Sequence, residues 1–160
     1  MKNYSSKSSL SVKLITIGIV IVMGIGVLSI FTINEKYGKI SGIIISLIIL
    51  STLIYFFANS LKEIIIGEKN LTLEKNIGKI EIPFSDIIKI EKLDFSNLSM
   101  TYGSKGVFGY IGNTMDDSIS MVNDRKNMLR IITNEKKYTF SSDNREELIS
   151  EIKNVLQHRV

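Results

Sequence analysis

From Leu14 to Asn34 the chain carries no charged side chain, and from Ile40 to Leu61 it again carries none. Ile, Leu, Val, Phe and Gly dominate both runs. About twenty helical residues rise roughly 30 Å, the thickness of the hydrocarbon core of a bilayer, so each run is long enough to span one. A cleaved signal peptide has a shorter apolar region, about 7 to 15 residues, closed by small residues of the A-x-A kind. The first run is longer and holds no alanine, since the one alanine of the chain is Ala58 in the second run. The absence of cysteine removes the lipoprotein alternative. These features predict an uncleaved transmembrane hairpin over residues 14–61.

The segment between the runs, NEKYGK (Asn34 to Lys39), is a short polar turn, so the two helices are expected to be antiparallel with both chain termini on one side. Lys2, Lys7 and Lys13 precede the first run and Lys62, Lys69 and Lys75 follow the second, against Lys36 and Lys39 in the turn. Cations accumulate on the cytoplasmic side of membrane helices. The pattern predicts a multi-pass protein of the cell membrane with cytoplasmic termini. Gly38, Gly42 and Ser46 lie at four-residue spacing on the second helix, a stripe of small residues that lets the first helix approach closely.

Charge counted by segment argues against nucleic acid as a partner. Residues 1–61 hold five lysines and one glutamate, a net +4, whereas residues 62–160 hold fifteen Lys plus Arg and fifteen Asp plus Glu. The basic excess therefore belongs to the membrane flanks, and the remainder has no net attraction for a nucleic-acid backbone. No cofactor or metal is expected. Cysteine is absent and the one histidine, His158, sits in the tail, so neither a Cys/His metal site nor a Ser/His/Asp set can be assembled. Asp116 and Asp117 are adjacent, and neighbours on a strand point to opposite faces. No ionisable residue interrupts the apolar runs, which argues against a transporter.

The polar, serine-rich start (residues 1–13) reads as a disordered cytoplasmic arm. After Leu61 the pattern changes to alternation, which sets off residues 62–160 as a β domain. Strands are expected at EIII (Glu63 to Ile66), LTLEK (Leu71 to Lys75), KIEIPF (Lys79 to Phe84) and IKIEKL (Ile88 to Leu93). Three more, SISMVN (Ser118 to Asn123), MLRIIT (Met128 to Thr133) and KYTFS (Lys137 to Ser141), are separated by polar turns and read as a meander. Asp143 with Glu146 three residues on has the form of a capping box. Leu148, Ile149, Ile152, Val155 and Leu156 then mark one face of an amphipathic helix. Seven strands closed by a C-terminal helix suit a small barrel or bent sheet plugged at one end.

One stretch stands apart: TYGSKGVFGYIGN (Thr101 to Asn113) places Gly103, Gly106, Gly109 and Gly112 at every third position. Phosphate-binding fingerprints need G-x-G-x-x-G or G-x-x-x-x-G-K-S/T between a strand and a helix start. Neither spacing occurs, and a strand follows. The glycines are expected to permit tight turns or positive φ in a long connection. Phe108 and Tyr110 either fold back over the end of the barrel or, with Met115, form an anchor for a protein partner or the membrane interface.

G-x-x-G-V-F-G-Y-I-G (Gly103 to Gly112), two strands, and then KYTFSSDNREELI (Lys137 to Ile149) resemble the bacterial pleckstrin-homology-like (PH) domain family, over about residues 64–156. The resemblance implies a seven-stranded bent barrel capped by a C-terminal helix, with membrane helices ahead of it. Asn144 and Arg145 stand where relatives commonly have proline. Phosphoinositide-binding members cluster cations in the first hairpin turn, where this chain offers Lys75 and Lys79 opposed by Glu74 and Glu81, a weak headgroup site. The reading that results is a membrane-anchored, non-catalytic module that contacts a protein partner, itself or lipid headgroups. Its candidate interaction loop is Gly103, Gly106, Phe108, Gly109, Tyr110 and Gly112. The alternatives are an accessory subunit of a larger exporter or secretion-type membrane complex, or a small-molecule sensor.

Overall fold

The computed structural model describes residues 2–30, 32, 36–95 and 98–157. Asn34, Glu35 and His158 lie outside the described residues. The chain begins with strand β1 (Lys2–Ser5), followed by helices α1 (Leu10–Ile30) and α2 (Lys36–Asn59). Strands β2 (Leu61–Ile66), β3 (Asn70–Lys75) and β4 (Lys79–Pro83) lead through a single 3-10 turn to β5 (Ile87–Lys92). Then come β6 (Met100–Lys105), β7 (Tyr110–Thr114), β8 (Ser118–Val122), β9 (Met128–Thr133) and β10 (Lys137–Ser141), and helix α3 (Arg145–Gln157) closes the fold.

Both α1 and α2 are long and apolar enough to cross a membrane, with a mean hydropathy of 2.4 in each. Ser9 caps α1 by accepting the Val12 N–H (3.4 Å), so the helix starts at Leu10 and takes in Lys13. The small-residue stripe is used within the chain. A methyl group placed on Gly42 would collide with the Ile30 side chain of α1, so this glycine sets how closely the two helices pack.

The remainder is a mainly β domain, sandwich-like, with two open sheets and α3 packed on its core. The four-stranded sheet runs β1-β2-β3-β4 and is antiparallel throughout. Alternation explains it: Leu61, Ile64, Ile66, Leu71, Leu73 and Ile82 are buried on one face, and charged residues such as Lys62, Lys79 and Glu81 point away. The six-stranded sheet runs β5-β9-β10-β8-β7-β6. Its inner face contributes Met121, Leu129, Ile131 and Phe140, which meet the first sheet and the Leu148 and Ile152 of α3. Val122 and Met128, one residue out of step and therefore on the opposite face, join Leu93, Leu98 and Met100 in a second, smaller cluster.

Four expectations are corrected. Residues 2–5 are not a disordered arm: β1 pairs with β2, Tyr4 is buried, and the Lys2 ammonium bridges Glu147 (2.9 Å) and Glu151 (3.3 Å) of α3. The last three strands are not a meander, because β10 lies between β8 and β9, parallel to the former and antiparallel to the latter. The described strands number ten rather than seven, the additional ones being β1, β6 and β7. The capping box is not built. The Asp143 carboxylate accepts the Ser5 hydroxyl (2.6 Å) and the Lys7 N–H (3.0 Å), while Glu146 pairs with Lys92 (2.6 Å).

Candidate functional site

The glycine-rich stretch is a β-hairpin, β6–β7, rather than a loop. Gly103 and Gly112 face each other across it, with φ of 118° and 141°. A side chain on Gly103 would strike the Ile111 carbonyl, and one on Gly112 the Tyr102 carbonyl, so only glycine allows the two strands to coil this tightly. The four-residue tip is closed by the Gly106 N–H donating to the Gly109 carbonyl (3.0 Å).

This tip docks on the helix pair. Phe108, held at φ 57°, donates its N–H to the Thr16 hydroxyl of α1 (2.8 Å) and accepts the Ser60 hydroxyl at the end of α2 (2.8 Å). Its ring meets Phe57 edge-on at 5.6 Å, a favourable arrangement of ring edge and face. Gly106 leaves only enough room for Ile15, whose Cδ1 lies 2.9 Å from where a methyl group would sit. A cleft of about 310 Å³ remains beside the tip, between Val12, Thr16, Phe57 and Phe108.

The β3–β4 turn holds the other side of the junction. It satisfies two of the carbonyls that the last turn of α2 leaves free, and that of Ser60 just beyond. Ile77 N–H donates to Ala58 O (3.0 Å), Asn76 N–H to Ser60 O (3.0 Å) and the Asn76 side-chain amide to Phe57 O (2.9 Å). Lys75 Nζ donates to the Asn59 side-chain oxygen (2.9 Å).

Beneath both turns lies Asn123, only 1% exposed. Its side-chain amide donates to Ser6 O (2.8 Å) and Leu61 O (2.6 Å), and its main-chain carbonyl accepts Ser9 N–H (3.0 Å). Its own N–H donates to the Ser141 hydroxyl (2.9 Å). One buried amide thus ties the entry to α1, the exit from α2 and the six-stranded sheet into a single knot. The sequence offers one faint signal for it, a polar residue directly after the apolar pair Met121 and Val122 that ends β8.

The candidate residues are therefore divided. Gly106, Phe108 and Gly109 sit at the junction, and Gly103 and Gly112 shape the hairpin that reaches it. Tyr110 is apart, its ring beside the Arg125 guanidinium (5.1 Å), which also stacks on Phe95 (3.8 Å). Met115 lies at the far end of β7 and is 75% exposed. Lys75 and Lys79 do not converge: the first reaches the Asn59 side chain at the end of α2, and the second pairs with Glu81 (2.5 Å), whose carboxylate raises the Lys79 pKa. Asp116 turns to Arg130 (2.6 Å) and receives the Thr114 hydroxyl (2.5 Å), while Asp117 occupies the β7–β8 turn at φ 60°. Partial burial pushes the Asp116 pKa up, but Thr114, Arg130 and Ser118 together outweigh it and hold the carboxyl below its ordinary value. Among the described residues no group of three or more His, Cys, Asp or Glu side chains could hold a metal ion.

A small two-sheet β domain closed by a C-terminal helix, joined to two helices long and apolar enough to cross a membrane, fits a PH-like domain with a membrane anchor. The family model described as Bacterial PH domain matches residues 54–156, and the chain belongs to that family. Neither the curated proteins nor the solved structures yield a match.

Proposed function

We propose that the chain is a membrane-anchored, non-catalytic interaction module, with its PH domain displayed at the cytoplasmic face of the cell membrane and both termini on that side. The observation that carries this reading is the junction. Phe108, the β3–β4 turn and Asn123 fasten the domain to the ends of both apolar helices, so it presents fixed outer surfaces at the membrane. Tethering raises effective concentration, and a weak contact with a protein partner, a second copy or lipid headgroups then suffices. The tip of the glycine–aromatic hairpin is occupied by the helices. What the hairpin offers a partner is β6, the outer strand of its sheet, where Tyr102 is 71% exposed and a free edge can accept another strand.

The test is site-specific photocrosslinking in native membranes from position 102, repeated in Phe108→Ala and Tyr110→Ala chains. A discrete adduct from position 102 is expected. Co-purification of a complex that needs only α1 and α2, with no adduct from the β domain, overturns the module reading in favour of an accessory subunit. Sidedness is read separately: the chain has no cysteine, so Ser150→Cys should react with an impermeant maleimide only after the cells are opened.

A further inference from the structure

We propose that the β domain stands on the bilayer through two feet, the β3–β4 turn at Ile77 and the β6–β7 tip at Phe108, with lipid at the headgroup–acyl boundary as the occupant. The proposal rests on the reading that α1 and α2 span the membrane. It adds which surface of the domain meets lipid, and at what depth.

The depth follows from where the two turns touch the helices. Lys13 is the last charged residue before the apolar run of α1, and the β6–β7 tip contacts Ile15 and Thr16, two and three residues further in. At 1.5 Å per residue the tip therefore lies about 3 to 5 Å on the apolar side of Lys13. On α2 the same tip meets Phe57, and Ile77 is hydrogen-bonded to Ala58, the last apolar residues before Asn59 and Ser60. Both turns are thus level with the points at which the two apolar runs end.

The side chains at this level suit that boundary. Ile77 is 62% exposed on a turn whose neighbours, Asn76 and Gly78, give it no apolar cover. A single exposed isoleucine is unremarkable on a water-facing surface. Here it sits beside the last turn of a spanning helix, where lipid covers it. Phe57 and Phe108 form an aromatic pair at the same depth, the level at which rings settle in membranes. Lys13 and Lys105 are exposed next to the feet, and Lys75 is half-buried against α2, so the rim is cationic and suits anionic headgroups.

The chain has no tryptophan, which makes single-tryptophan reporters clean. Full-length Ile77→Trp, Ile48→Trp and Met115→Trp proteins are reconstituted in phosphatidylcholine/phosphatidylglycerol vesicles, with and without brominated acyl chains. Ile48 is mid-helix on α2 and 61% exposed, and Met115 is at the end of β7 remote from the tip. Strong quenching of the Ile77→Trp reporter by bromolipid, several-fold above the Met115→Trp reporter, is expected, together with weak quenching by aqueous iodide. If the Ile77→Trp reporter matches the Met115→Trp one in both quenchers while the Ile48→Trp reporter is quenched by bromolipid, the helices span but the feet are not in lipid, and the proposal is overturned alone. If the Ile48→Trp reporter is also insensitive to bromolipid, the spanning reading falls with it.

Discussion

The sandwich interior and the helix junction hold the same chain together with opposite materials. Between the sheets lie Leu71, Leu73, Leu129, Ile131, Phe140, Leu148 and Ile152, all fully buried and apolar. At the junction Asn123, Ser6, Ser60 and Ser141 are buried but polar, and each is placed by hydrogen bonds. The first region is non-directional and tolerates similar shapes; the second fixes orientation, because a displaced amide leaves buried carbonyls without partners. The contrast teaches that this protein folds through its interior and aims itself through its junction.

Four measurements on the full chain in detergent can break or sharpen that contrast. Phe140→Ala should have the largest effect, a loss of about 3–5 kcal/mol in denaturant titration, because it empties the centre of the interior. Asn123→Ala should follow at about 2–4 kcal/mol, since Ser6 O and Leu61 O are both left without their donor. If this variant is as stable as the parent, the junction is not a fastening. Gly112→Ala should cost at least about 1–2 kcal/mol for its left-handed backbone, and more because the added methyl meets the Tyr102 carbonyl. A shift in the Phe108–Thr16 contact, read by crosslinking, should accompany it.

The smallest effect is that of Asp116. Its folded pKa is depressed below the ordinary 3.8, so its contribution is complete above that value and is lost as pH falls below it through the folded pKa. Acid titration of Asp116→Asn should show a shallower decline in that window than the parent. An unchanged decline would mean that other carboxylates govern acid unfolding.

The same contrast explains what could be read in the residues alone. The stripe of α3 and the alternation of β2, β3 and β4 are written as periodicity, and the structure places them as read. So is the close approach of α1 to α2 at Gly42. Strand β1 leaves little trace in the sequence because Tyr4 is the one apolar residue in KNYS, and β6–β7 reads as a connection because its glycines suggest one rather than a ladder. The order of β8, β9 and β10 is a property of crossings, on which alternation is silent. Asp143 fits a capping pattern locally, but Ser5 and Lys7 arrive from the other end of the chain and claim its carboxylate. Asn123 likewise has partners distant in the chain, so the polar residue after β8 is visible in the sequence but its role is not.

Strands β1 and β2 are neighbours in one sheet, yet everything from Ser6 to Ser60 separates them, so the pair of apolar helices is formally the connection of a β-hairpin. During synthesis Lys2–Ser5 must therefore wait, unmatched, until its companion Leu61–Ile66 has left the ribosome. Were both helices to cross a bilayer, a chain with only one crossing completed would hold the two strands on opposite faces and could not zip them together.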